Sequence, residues 1–169
     1  AIESERLNIE LKQLNIVKLV EQIVKNFERE ATKKELTVHF SPPAAPYYVK
    51  ADENYLTQVY ENLLSNAVKF SPKGKNIYVT IEQRGDKIRT IVRDEGPGIG
   101  KKDMKKLFGK FQKLSAKPTG GELSTGLGLS IVKKYIEAMH GKVWCESELD
   151  KGASFIVELV RVSNSINKK

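Results

Sequence analysis

The sequence predicts an α+β fold, a two-layer sandwich in which one mixed sheet carries its helices on a single face. Three observations predict it. Stretches of period-two alternation interleave with stretches of helical spacing along the whole chain. Two of the alternating stretches, Ile77 to Ile81 and Ile88 to Val92, flank Gly85-Asp86 and read as an antiparallel hairpin. With 169 residues, 40% of them hydrophobic and 30% charged, the chain holds enough apolar surface for the core of one soluble domain. No segment approaches the roughly 18 to 20 apolar residues of a membrane span, and no signal peptide opens the chain. The single Cys145 can form no internal disulfide, which suits a reducing, cytoplasmic setting.

The elements follow in order. Leu7, Ile9 and Leu11 alternate with polar residues as a half-buried strand does. Asn15 then caps a helix whose Ile16, Leu19, Val20, Ile23, Val24 and Phe27 share one face. Leu36, Val38 and Phe40 return to alternation. Ser41-Pro42-Pro43-Ala44-Ala45-Pro46 interrupts regular structure before a short strand over Tyr48 to Ala51. Asp52 caps a second helix with an apolar stripe of Tyr55, Leu56, Val59, Leu63 and Val68, and Ser71-Pro72 stops it. The hairpin comes next, and its second strand delivers Asp94. Residues Gly96 to Thr125 read as a mobile loop with a short helix around Met104 to Phe108, and a long loop inside a compact domain is usually functional. Leu127, Leu129, Ile131, Val132, Tyr135, Ile136 and Met139 mark a third long helix, which Gly141 ends in a left-handed conformation. Lys142 to Ser147 is a strand, Gly152 makes a turn, and Phe155, Val157 and Leu159 alternate in a last strand before a polar tail over residues 161–169.

The formal net charge is +8. Lysines concentrate between Lys101 and Lys117 and are otherwise scattered, so the excess reads as a solvated surface with some attraction for nucleotide phosphates or an acidic partner. No nucleic-acid partner and no membrane contact are expected of these residues.

Four segments carry the chemistry. Asn62, Asn66 and Lys69, at spacings of four and three, lie on one helical face. Magnesium takes oxygen ligands and keeps several waters, so one asparagine carbonyl with phosphate oxygens makes a workable set, and Asn66 is the ligand expected. Lys69 would bring a positive charge toward phosphate, and Phe70 an aromatic face to a base. In Asp94-Glu95-Gly96-Pro97-Gly98-Ile99-Gly100 a carboxylate at a strand end can accept a hydrogen bond from the exocyclic amine of adenine, where guanine would present a carbonyl. Gly96 and Gly98 let the backbone turn sharply and approach a flat ring, on which Ile99 can pack. Phe108 and Phe111 are core anchors or docking points of a lid. Gly126-Leu127-Gly128-Leu129, with Thr125 before it, opens a helix whose first amides suit phosphate.

Taken together, these segments resemble the N, G1, F and G2 boxes of the catalytic and ATP-binding domain of sensor histidine kinases. That family lies in the wider group of gyrase, heat-shock-90 and mismatch-repair ATPases, and the resemblance runs from about Leu7 to Leu159. It implies a Bergerat-type ATP-binding fold with an ATP lid. It implies that Asn66 holds magnesium, that Asp94 binds the adenine amine, that Lys69 and Phe70 line phosphate and adenine, and that Gly126 and Gly128 form the phosphate-side hinge of the lid, with Leu127 between them also at the nucleotide. Lys113 stands where the family often has a lid arginine, keeping the charge without the bidentate geometry. Tyr55 replaces another common arginine.

In the hydrolytic members of that group a glutamate four residues before the magnesium asparagine serves as general base, and this chain has Asn62 there. Glu61 is displaced by about 100 degrees around the helix. Transfer rather than hydrolysis is therefore expected. The chain has only His39 and His140, and neither fits the phosphoacceptor motif of the family. The resemblance implies a domain excised from a longer kinase, with residues 1–6 a remnant of the linker from a dimerisation and phosphoacceptor hairpin and residues 7–160 the catalytic domain. It would bind Mg-ATP, pass the γ phosphoryl to a histidine of that hairpin, and through it to a response regulator, while itself being monomeric. A conformational ATPase of the same group and an interaction module without nucleotide are the competing readings.

Overall fold

The structure is a computed structural model, and it describes residues 7–109 and 128–163. The first strand, β1 (Lys12–Asn15), precedes helix α1 (Ile16–Lys33), and β2 (Thr37–Phe40) and β3 (Tyr48–Ala51) follow. Helix α2 (Glu53–Phe70) leads to the hairpin of β4 (Asn76–Arg84) and β5 (Lys87–Asp94), and a single turn, α3 (Lys101–Met104), comes after it. Helix α4 (Gly128–Ala138) then precedes β6 (Lys142–Ser147) and β7 (Ala153–Val162).

Both long helices start where the sequence places them. Asn15 has extended backbone, and its Oδ1 accepts from the Val17 amide at 3.1 Å. Asp52 Oδ1 accepts from the amides of Asn54 and Tyr55 at 3.0 and 3.2 Å, while its Oδ2 accepts from the Glu10 amide at 2.8 Å. One carboxylate thus caps α2 and ties down the incoming chain. The α1 stripe buries Ile16, Val20, Ile23 and Val24, and α2 buries Leu56, Val59, Tyr60, Leu63, Leu64 and Ala67. The buried Tyr60 hydroxyl is paired with Thr90 Oγ1 at 3.0 Å.

The seven strands form one sheet in the order β1-β3-β7-β5-β4-β2, with β6 also on β7. Only β2 and β4 run parallel, and every other pair is antiparallel. Along one side of β7 runs β5. Along the other, β6 pairs with Ala153 to Glu158, and β3 pairs with Arg161 and Val162. Asp94, at the end of β5, faces Ile77 on one neighbour and Ala153 on the other.

Four expectations change. Residues 7–11 form no strand, because the ladder with β3 begins at Lys12. The short helix lies at Lys101–Met104, just before its expected place, and residues 105–108 are turn. The left-handed residue after α4 is His140, with φ 66°, and not Gly141. A Cβ on Gly141 would lie 2.6 Å from the Glu158 carbonyl oxygen, so that glycine serves a close backbone approach. Finally, β7 extends to Val162, two residues into the expected polar tail.

Candidate functional site

A narrow cleft of about 40 Å³ lies between the C-terminal half of α2, the end of β5 and the start of α4. Asn66 and Phe70 line it from α2, Asp94 and Ile99 from the strand end and the loop beyond, and Leu129 and Phe155 from α4 and β7. Asn66 and Phe70 are four apart and so share a helical face.

Asp94 is 7% exposed. Its Oδ1 accepts from the amides of Gly96 at 2.8 Å and Ala153 at 3.3 Å. Among the described residues no donor reaches Oδ2, which leaves one oxygen of a buried carboxylate to accept from a ligand. Burial pushes the Asp94 pKa above its ordinary value, against the opposing pull of those two amides and the Arg93 charge. Next to it, Glu95 is turned away from the cleft. Its Oε1 accepts from the Asn76 amide at 2.7 Å and from Asn76 Nδ2 at 3.2 Å, and these bonds hold its carboxyl below the usual value.

Gly98 makes the sharp turn expected, at positive φ, and lines the cleft, and both loop glycines also stand close to protein backbone. A Cβ on Gly96 would stand 2.6 Å from the Phe70 carbonyl oxygen, and one on Gly98, at φ 77°, would collide with the Glu148 carbonyl. Both positions let the loop pack on protein backbone. The β6–β7 turn fixes the loop further: the Asp150 amide donates to the Pro97 carbonyl at 2.6 Å, and the Ile99 amide to Ser147 Oγ at 2.8 Å. Ile99 is thereby held at the cleft wall, 9% exposed.

The remaining expected residues divide. Asn62 lies on the side of α2 facing α4, with its carboxamide 4.0 Å from where a Gly128 Cβ would be. Lys69 lines a second, basic groove with Arg29, Lys33, Lys34 and Lys73, between α1 and α2, and is not among the residues lining the cleft. Glu61 is exposed, consistent with its rotation away from Asn66. Lys113, Thr125, Gly126, Leu127 and Phe111 lie outside the described residues. Phe108 packs edge-on against Phe155, with ring centroids 6.4 Å apart, as a core anchor at the cleft's edge. Tyr55 packs edge-on against Tyr135 at 4.7 Å, joining α2 to α4. Pro97, Leu107, Leu129, Ala153 and Phe155 line the cleft without having been expected there. Nothing local marks Ala153, whose amide reaches Asp94 only through the β5–β7 register.

Neither histidine stands in the cleft. His39 Nε2 is 2.8 Å from Asn76 Oδ1, and its ring stacks on Tyr78 at 4.9 Å.

A helix-borne amide, a half-satisfied buried carboxylate and apolar walls are the parts of a nucleotide-binding ATPase domain. Residues 51–163 match the family model of histidine kinase-, DNA gyrase B-, and HSP90-like ATPases, and the chain belongs to that family. Within it, the chain is similar to sensor histidine kinases. It is 35% identical over 150 residues to WalK of Bacillus subtilis (strain 168), covering 86% of this chain and 24% of that protein. It is likewise 35% identical over 159 residues to RcsC of Escherichia coli (strain K12), covering 94% of this chain and 17% of that protein. The chain therefore spans a quarter or less of the length of these relatives. Among solved structures, the catalytic domain of histidine kinase ThkA superposes with TM-score 0.78 at 30% identity, over 91% of this chain and 99% of that one. Full-length ShkA in complex with AMPPNP superposes with TM-score 0.77 at 28% identity, over 93% of this chain and 32% of that one. The mixed sheet with its helices is the Bergerat-type fold of these domains, as the sequence implied.

No helix among the described residues is long and apolar enough to cross a membrane.

Proposed function

We propose that this domain binds Mg-ATP and donates its γ phosphoryl to a histidine on a separate dimerisation and phosphoacceptor hairpin, feeding a response regulator in two-component signalling. The observation that carries the reading is Asp94: buried at the cleft wall, with Oδ1 taken by two backbone amides and no donor to Oδ2 among the described residues. That arrangement suits an exocyclic amine, which adenine has at the matching edge. Ile99, Leu129 and Phe155 would form the apolar walls around the base, and Phe70 would cover it from α2.

Asn66 lines the same cleft with a neutral carboxamide, whose oxygen fits magnesium, which would take its other ligands from phosphate and water. Magnesium held there would neutralise phosphate charge during transfer. Phosphoryl transfer rests on positioning and charge neutralisation, so a domain with no base can donate once its acceptor is presented. Asn62 stands where the hydrolytic members have glutamate, and an amide cannot take a proton; the exposed Glu61 faces elsewhere. The solved complex of ThkA with the response regulator TrrA, 27% identical with TM-score 0.74, supports the partner assignment. Lys113, Thr125, Gly126, Leu127 and Gly128 complete the proposed site on the phosphate side, with Lys69 a charge at its margin.

Titration with a fluorescent ATP analogue, with and without magnesium, tests the reading. Saturable, magnesium-dependent binding that ATP competes away and GTP does not is expected, and no binding at millimolar nucleotide would exclude it. Addition of a histidine-hairpin domain should then yield acid-labile phosphate on that domain.

A further inference from the structure

We infer that Lys34 is a positioning residue of the nucleotide site, acting through the end of α2; this rests on the nucleotide reading above. Lys34 stands one residue beyond α1 and is 8% exposed, an unusual burial for a lysine. Its Nζ donates to the Val68 carbonyl at 2.7 Å and to the Lys69 carbonyl at 3.0 Å. These are among the last carbonyls of α2, which a helix cannot satisfy within itself and where the negative end of its dipole lies. Here the capping cation comes from the end of another helix. The same contact therefore both caps α2 and docks it on α1.

The last turn of α2 runs directly into the site. Asn66 and Phe70 line the cleft. The Phe70 carbonyl oxygen sits 2.6 Å from where a Gly96 Cβ would be, and the Gly96 amide donates to Asp94 Oδ1 at 2.8 Å. A continuous series thus joins the Lys34 ammonium, the carbonyl end of α2, Gly96 and the Asp94 carboxylate. Lys34 is itself fixed. Its amide and that of Leu36 donate to the Ala31 carbonyl at 3.0 and 2.8 Å, Glu35 between them is left-handed at φ 62°, and the Glu35 carbonyl accepts from the Gly74 amide at 3.1 Å. Without the ammonium, two helix-end carbonyls lose a charged donor, and the last turn loosens from Gly96. The groups displaced are Phe70 and Asn66, relative to Asp94. The defect expected is one of affinity beyond that of folding.

The test compares Lys34→Met, Lys34→Arg and, as a control for stability alone, Val49→Ala, a fully buried position in β3 that pairs with Arg161 of β7, six residues along that strand from the cleft residue Phe155. Lys34→Gln, which keeps an uncharged donor, serves if Lys34→Met does not fold. Calorimetry with Mg-ATP should show Lys34→Met weakened by about tenfold, the loss of a charged hydrogen bond. Hydrogen exchange without nucleotide should show the amides of Val68 to Ser71 and of Gly96 exchanging several-fold faster. Lys34→Arg should recover both, and Val49→Ala should lower the melting temperature with affinity unchanged. Parental affinity and parental exchange in Lys34→Met would overturn the inference, as would an affinity loss no larger than that of Val49→Ala at matched melting temperature. A parent chain that binds no nucleotide would instead overturn the proposed function. The exchange arm would then decide separately whether Lys34 holds the end of α2.

Discussion

Asp94 joins two tasks in one side chain, and its two oxygens divide them. Asparagine in its place keeps an acceptor at Oδ1 for the amides of Gly96 and Ala153 and turns the other oxygen into a donor. Asp94→Asn should therefore fold normally and lose ATP affinity by about 100-fold, since two donors would then face each other at a desolvated edge. Its preference for ATP over GTP should narrow or invert, which competition titration would read. The stability side carries a sign. Between the ordinary value of 3.8 and the raised native value, the unfolded carboxyl has released a proton that the native one retains, so stability falls as pH rises through that window. Asp94→Asn removes this dependence, and its melting temperature at neutral pH should equal or exceed the parent's. The carboxylate form is the one that accepts from the amine, so ATP affinity of the parent should begin to fall on acidification before pH reaches 3.8. Asn66→Ala should abolish the magnesium-dependent part of nucleotide binding, and unchanged affinity in calorimetry would remove Asn66 as the ligand. At this scale the sequence marked polar side chains that the fold brings into one cleft, as with Asp94 and Asn66. It was silent where the role belongs to a backbone amide such as that of Ala153, or to a lysine pointing at carbonyls 34 and 35 residues away, as Lys34 does.

The elements were legible wherever a cap and a stripe agree. Asn15 and Asp52 each start a helix at the residue named, because a side-chain acceptor before a periodic run leaves few alternatives. Asp52→Ala should cost about 1 to 2 kcal/mol in chemical denaturation, since it strips the cap of α2 and also the partner of the Glu10 amide. Residues 7–11 failed as a strand for the opposite reason: alternation without a neighbouring ladder does not pair. Gly141 misled because a glycine after a helix has two uses, and close approach to Glu158 won while His140 took the left-handed turn. Gly98→Ala combines positive φ with a collision against the Glu148 carbonyl and should cost about 2 kcal/mol or more, with the Asp94 loop lifted from the β6–β7 turn. A melting temperature within a degree of the parent's would contradict that packing.

For the molecule as a whole, the layer architecture followed from pattern and the strand order did not, because which strands become neighbours is settled by pairing over long separations. The proposed chemistry also belongs to this scale. The isolated domain should release phosphate from ATP at a rate close to background, since no group on the Asn66 face can take a proton from water; steady turnover would favour the hydrolytic reading. It should also sediment as a monomer at all concentrations, the dimer contacts lying in the proposed hairpin. The β5–β7 register places Asp94 against Ala153, and Phe155 of the same strand closes the cleft. During synthesis, helices α1 and α2 and the β4–β5 hairpin leave the ribosome long before β7 does. The nascent chain therefore has Asn66 and Asp94 in hand but neither the amide that holds Asp94 from the far strand nor the wall that Phe155 provides. Nucleotide cannot serve as an early folding template for this domain, and a chain stalled or cleaved before residue 153 should be blind to ATP.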